Sequence, residues 1–306
     1  MKDTKISSKK KQRERKHMAV EYSFLVPAFL FLAVFMAYPV LYNFFLSLKD
    51  SNISNLISGD APFIGLQNFM DLFSDSYFHM SFWNTIVFMI CCLSFQFIFG
   101  MLLALFFNIH FAGAKWMRAI VLVGWMNPII ITGAIFKWLF SGDSGVINYL
   151  LMSLGVIQDP IMFLNTPGMA LFSITCANIW IGIPFNMILL LAGLQSLPGD
   201  IYEAASIDGA GKVAQFFRIT LPLLKPTISI LLMMGVIYTF KVFDLIYIMT
   251  KGGPARTSQT LPYYSYELSF QTYKYGKGAA VSVVIFLLVM VFAVIYLRAS
   301  KKEEDF

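Results

Sequence analysis

The chain has 306 residues, of which 58% are hydrophobic and 13% charged, where an ordinary soluble domain carries about a quarter charged residues. A water-soluble fold of this composition would expose large apolar surfaces. The apolar residues instead arrive in long blocks with few charges, so a soluble globular protein is excluded and a membrane protein is specified. The net charge of +6 informs through its placement along the chain more than through its sum, and it calls for no nucleic-acid partner.

Residues 1–20 form a basic tail containing Lys9-Lys10-Lys11-Gln12-Arg13-Glu14-Arg15-Lys16. It reads as a solvated segment that fixes orientation, with specific binding to anionic membrane lipid as the alternative. The first apolar block, 22–48, exceeds a signal-peptide core in length and lacks a small-x-small cleavage pattern. It runs on as Tyr38-Pro39-Val40-Leu41-Tyr42, so it is expected to remain as a helix. Further blocks at 81–108, 117–140, 169–196, 227–249 and 277–298 are long enough to span. The expectation is an all-α membrane protein with six transmembrane helices, one membrane domain over 21–299 and a short tail over 300–306. Sixteen of the 23 Lys and Arg residues fall on one side of this arrangement and five on the other, with Lys137 and Lys241 inside spans. The positive-inside rule then places both termini in the cytoplasm of a multi-pass cell-membrane protein. Loops 49–79 and 250–276 on the opposite side are large enough to fold into small caps.

The segment between the fourth and fifth spans, 197–226, carries the densest information. Asp200 is expected to cap a short helix with Glu203 three residues on, and Gly209 to end it in a left-handed conformation. A second short helix is expected from about Lys212 to Leu221, stopping before Pro222. Ala204 and Ala205 allow another surface to approach closely, and Phe216, Phe217 and Ile219 supply apolar anchors. Two readings stand on these residues: a coupling element tied by Pro222 and Pro226 to the fifth span, or an amphipathic loop lying on lipid headgroups.

Polar residues inside spans are where a solute path is sought, because lipid penalises them. Asn127, Asn178, Asn186 and Gln96 suit hydroxyl groups, but such side chains also join helices to one another. Tyr238, Phe240 and Phe243 are candidates to stack on a ring. Lys241 and Asp244, three residues apart, suit either a pair on one helix face or solute contact. Tyr263, Tyr264, Tyr266, Tyr273 and Tyr275 read as an interfacial aromatic belt, with stacking on a ring at the external mouth as the alternative.

Catalytic and metal chemistry finds no support. Ala210-Gly211-Lys212-Val213 resembles a phosphate loop superficially, but Ser206 stands where the first Gly belongs and Val213 where Ser or Thr belongs. His17, His79 and His110 are scattered, so neither a zinc site nor a catalytic histidine is indicated. An ion-coupled carrier would show internal pseudo-symmetry, and none is evident.

The loop sequence resembles the membrane subunits of binding-protein-dependent ATP-binding-cassette importers. Glu203-Ala204-Ala205, Asp208-Gly209-Ala210, Ile219-Thr220-Leu221-Pro222 and Lys225-Pro226 match that family's cytoplasmic signature. Leu25-Val26-Pro27-Ala28, Phe63-Ile64-Gly65-Leu66-Gln67-Asn68-Phe69, Gly182-Ile183-Pro184-Phe185 and Gly252-Gly253-Pro254 look like its carbohydrate-uptake branch. The resemblance implies a type I importer fold with a cytoplasmic coupling helix. It also implies a second permease subunit, two cytoplasmic ATPase subunits and an extracellular, often lipid-anchored, solute-binding protein. ATP and Mg would sit on the ATPases, and this chain would be no enzyme and hold no cofactor. Residues carried over to ATPase coupling are Glu203, Ala204, Ala205, Asp208, Gly209, Ala210, Leu221 and Pro222. The implied cargo is a sugar or oligosaccharide, with a peptide-like, phosphate-ester or polyamine solute as the alternative.

Overall fold

A computed structural model describes residues 24–304, so the basic run at 9–16 lies outside the described residues. Helix α1 (Phe24–Ser47) is followed by two short helices, α2 (Ile53–Ser58) and α3 (Gln67–Phe73), and by the long α4 (Ser76–Asn108). Next come α5 (Ala114–Met126), α6 (Ile129–Leu139), α7 (Val146–Ser153) and α8 (Met169–Gln195). The 197–226 segment forms α9 (Gly199–Ile207) and α10 (Lys212–Leu223), leading into α11 (Lys225–Phe240). The chain ends with α12 (Asp244–Met249), α13 (Leu261–Tyr266) and α14 (Tyr275–Glu304). Among the described residues the only β pairing is an isolated bridge between Lys49 and Phe63.

Four helices, α1, α4, α8 and α14, are each long and apolar enough to cross a membrane, and six spans result only if two bent pairs count as one each. The expected straight span at 117–140 is instead α5 and α6 at 93°. Pro128 is the cause: it bars its predecessor from helical geometry, and Asn127 sits at ψ 136°. The expected span at 227–249 is also interrupted, since α11 ends at Phe240 and α12 starts at Asp244. Two other prolines are tolerated inside helices because a wide π turn precedes each. Tyr38 N–H reaches back to the Ala33 carbonyl ahead of Pro39, and Leu221 N–H to that of Phe216 ahead of Pro222.

Helices α4 and α8 form the central pair. A Cβ on Gly100 would lie 2.5 Å from Asn186 Cβ, so the absence of a side chain there lets the two helices approach closely. Phe88, Ile174, Leu245 and Met249 fill one half of the interior, and Met101, Phe107, Leu190, Leu224 and Leu231 the other. By contrast α1 buries only Ser47, leaving its apolar sides to lipid or another chain.

At one end of the bundle, residues 49–75 and 250–274 close into a single cap. Asn84 Nδ2 donates to the Thr257 and Gln259 carbonyls at 2.9 Å each, and Leu261 N–H donates to Thr85 Oγ1 at 2.9 Å. Glu267 accepts from both Arg256 and Gln259, and the Tyr264 hydroxyl donates to Asp75. Burial pushes the Tyr264 phenol above its ordinary value, and the bond to Asp75 adds to the shift. The Lys277 ammonium, 2.7 Å from Asp71, holds that carboxyl below the usual range, with help from Gln67.

Candidate functional site

The break at Asn127–Pro128 leaves the last carbonyls of α5 and the first amides of α6 without intrahelical partners in the middle of a predicted span. Irregular backbone at that depth is tolerated only where protein buries it or a cavity is present. A cavity of about 300 Å³ opens there, with Trp125 and Ile129 from the two sides of the break in its wall. Across from them stand Gln96 of α4, Asn178, Phe185 and Asn186 of α8, and Tyr238 and Thr239 of α11.

The lining divides into two chemical faces. Trp125 and Phe185 rings lie 5.8 Å apart, and Phe185 meets Tyr238 edge to face at 6.1 Å, giving a continuous aromatic wall. The amide face is held by the helices themselves: Gln96 Nε2 donates to the Asn178 carbonyl and Asn186 Nδ2 to the Gly182 carbonyl, each at 2.9 Å. Gly182 packs directly on the Gln96 amide, and any side chain there would displace it. No lining side chain is charged. Such a site suits an uncharged ligand with hydroxyl groups on its edges and apolar C–H faces.

Of the residues predicted for a solute path, Asn178, Asn186 and Tyr238 come together here. Gln96 ties α4 to α8 and lines the cavity at once, so both readings hold for it, whereas the Asn186 amide lines the cavity and bonds only within α8. Asn127 stays exposed at the break and lines a neighbouring cleft of about 410 Å³ with Trp180 and Pro184. Phe240 does not reach the cavity: it is buried, with its ring 5.9 Å from Phe292. Phe243 stacks instead on Tyr247 and Tyr263, at 5.5 and 5.9 Å. The expected Lys241–Asp244 pair on one helix face is not formed, because the helix ends between them. The Lys241 ammonium lies 5.8 Å from the Tyr238 ring and Asp244 opens α12. Trp125, Phe185 and Thr239 were missed as lining residues, although Asn127-Pro128 and the proline within Gly182-Ile183-Pro184-Phe185 marked the broken or weakened helices beside them.

At the opposite end from the cap, α9 and α10 form a compact hairpin. Gly209 has φ +79°, Ala210 N–H bonds the Ala205 carbonyl at 2.9 Å and Gly209 N–H that of Ser206 at 3.1 Å. This is a Schellman ending, the left-handed stop expected of Gly209. Asp200 is not the cap: Pro198 occupies that position without a side-chain bond, and Asp200 sits in the first turn, where its charge favours the helix dipole. Nor does α10 stop before Pro222, since the π turn over Phe216–Thr220 carries it on to Leu223.

Cross-links fix the hairpin. Gln215 Nε2 donates to Ser206 Oγ at 2.9 Å and to the Ala210 carbonyl at 3.0 Å, while the Tyr202 and Thr220 hydroxyls meet at 2.9 Å. Leu224, fully buried at the end of α10, packs in the same core as Leu190 and Leu194 of α8. Glu203, Ala204 and Asp208 are exposed, with Ala205 and Ala210 half-buried, and Ile207, Val213 and Phe217 present bare apolar surface.

Sequence and structure comparisons identify the family and the fold. The family described as "binding-protein-dependent transport system inner membrane component" matches residues 96–302. The trehalose/maltose transport system permease protein MalF of Thermococcus litoralis is 37% identical, over 99% of this chain and 100% of its own length. The sulfoquinovosyl glycerol transport system permease protein SmoG of Agrobacterium fabrum is also 37% identical, over 92% of this chain and 90% of its own. A solved bacterial ABC transporter involved in import of the acidic polysaccharide alginate superimposes with a TM-score of 0.80, at 26% identity, over 95% of this chain and 98% of that one. With two thirds of its length matching the family and full-length relatives at this identity, the chain belongs to the inner-membrane components of binding-protein-dependent transport systems.

Proposed function

We propose that this chain is one of two permease subunits of an ATP-driven importer, and that it passes an uncharged sugar or oligosaccharide through the cavity at the Asn127–Pro128 break. The observation that carries the reading is the cavity lining, aromatic on one wall and amide on the other with no charge. Sugar rings present apolar C–H faces and hydroxyl edges, which match those two walls. The relatives' named cargo, trehalose/maltose and sulfoquinovosyl glycerol, supports a carbohydrate.

In this reading residues 21–299 make one membrane domain, both termini are cytoplasmic, and 197–226 is the cytoplasmic coupling loop. Helix α9 seats its exposed face, Glu203, Ala204 and Asp208 with Ile207, on one of two ATPase subunits that bind ATP and Mg. Leu221 and Pro222 lead through buried Leu224 into α11, which carries Tyr238 to the cavity. Movement of the hairpin is thereby delivered to the wall of the solute path, and a solute-binding protein docks at the cap end. The solved alginate transporter in complex with an alginate pentasaccharide-bound periplasmic protein supports the pairing with a solute-binding protein.

The test is sugar-stimulated ATP hydrolysis by the complete importer, with its binding protein, in lipid vesicles. Neutral disaccharides are expected to stimulate it and sugar phosphates not. Tyr238→Ala, which removes a stacking ring worth about 1 kcal/mol, is expected to raise the half-saturating sugar concentration about fivefold. Stimulation by sugar phosphates alone, or an unchanged response in Tyr238→Ala, refutes the assignment.

A further inference from the structure

The turn between α4 and α5 carries a basic pocket that transport does not use. His110, Lys115 and Arg118 line an open depression of about 670 Å³ floored by Phe111, Ala112 and Ala114. The sequence holds no Asp or Glu from residue 76 to residue 142, so no local carboxylate neutralises this charge. Among the described residues, ion pairs form only at Arg256–Glu267 and Lys277–Asp71, and neither involves the pocket.

Arg118 is held in place and left partly unused. One guanidinium nitrogen, Nη2, donates to the Phe107 carbonyl at 2.7 Å, closing the last turn of α4, while Nε is shielded from solvent without any partner. An unpaired buried donor is costly and is a place where a bound acceptor would be favoured. Helix α5 adds to the same point: it starts at Gly113, φ +90°, with no side-chain cap. Ala114 and Met117 amides find backbone carbonyls, but those of Lys115 and Trp116 do not. An uncapped helix start beside two permanent cations favours a phosphate-type anion.

The surroundings distinguish a lipid from a soluble ion. Ile109, Trp116 and Met117 flank the pocket with exposed apolar surface, Trp116 at 76%. Tryptophan in that setting belongs at the boundary between headgroups and acyl chains. We propose that this pocket binds the phosphate of an anionic phospholipid headgroup, with the acyl chains lying against Ile109, Trp116 and Met117.

The experiment compares phosphatidylglycerol with phosphatidylcholine as lipids retained by the complete, detergent-purified importer, counted by native mass spectrometry. The natural protein is expected to retain phosphatidylglycerol preferentially. Lys115→Gln and Arg118→Gln are each expected to reduce that preference about fivefold. Should Arg118→Gln fail to assemble, the pair Lys115→Gln with His110→Gln, both at exposed positions, decides the matter. An unchanged preference in the variants overturns the proposal. So does displacement of the lipid by millimolar inorganic phosphate, which would make the site one for a soluble anion. Retention is read without sugar or ATP, so its outcome is separate from that of the transport assignment.

Discussion

Gly209 offers a test in which conformation and size pull in opposite directions. Its φ of +79° is unfavourable for a side-chain-bearing residue, yet a Cβ built there meets nothing within 4 Å. Replacement by Ala therefore costs only the left-handed backbone term, about 1–2 kcal/mol, which lowers the population of the closed hairpin by a factor of about 5–30. Asn tolerates this backbone region and should cost less despite being larger, while β-branched Val should cost most. The assay is binding-protein-stimulated ATP hydrolysis by the reconstituted importer, with thermal stability of the solubilised complex measured alongside. Coupled activity should fall in the order Gly, Asn, Ala, Val with stability little altered, because the turn is exposed. A result in which Asn is worse than Ala would show that space at the ATPase surface matters rather than the dihedral. Wild-type coupling in the Val variant would remove the hairpin from the mechanism altogether.

Two further outcomes follow from the packing and the cap. Gly100→Val must push α4 away from Asn186 Cβ and from the Met187 amide 3.1 Å away; it should cost about 1–3 kcal/mol, seen as a lower thermal midpoint, whereas Gly199→Ala, with open space, should leave that midpoint unchanged. Tyr264, whose phenol is raised first by burial and then by Asp75, favours the folded cap while it keeps its proton. That contribution is complete below the ordinary tyrosine range and is lost as pH rises towards the raised value. Asp75→Asn, by removing the acceptor charge, should bring phenolate formation, followed by ultraviolet difference spectroscopy, to lower pH.

Length and hydropathy are local properties, which is why α1, α4, α8 and α14 were legible as apolar blocks. The interruptions were harder for different reasons. Asn127-Pro128 announces a break chemically, but apolar residues on both sides conceal it from any windowed reading. The stop at Lys241–Phe243 carries neither Gly nor Pro, so nothing in its own residues separates it from a continuing helix. Asn178, Asn186 and Tyr238 stood out as polar atoms within apolar spans. Trp125 and Phe185 did not, because an aromatic ring facing a cavity has the same composition as one facing lipid. Phe240, two residues after Tyr238, faces nearly the opposite side of α11 and packs on Met89, Val236 and Phe292, a separation that helix geometry imposes once Tyr238 is known to face the cavity. The Asp208-Gly209 turn was the most legible feature, since a left-handed helix stop has a specific chemical requirement.

The sparse burial of α1 also bears on the order of events during synthesis. Its C-terminal half meets α14, with Phe44 and Phe286 rings edge to face at 5.5 Å and the Asn43 amide directed at the Ala279 carbonyl across a separation of 236 residues. At ribosomal rates of roughly 5–20 residues per second, α1 waits about 10–50 seconds for α14 to follow it out of the ribosome. During that interval α1 is a free apolar rod in the membrane. The stage at which α1 is covered within this chain, and the interval in which another subunit can reach it, are thereby timed by the synthesis of α14.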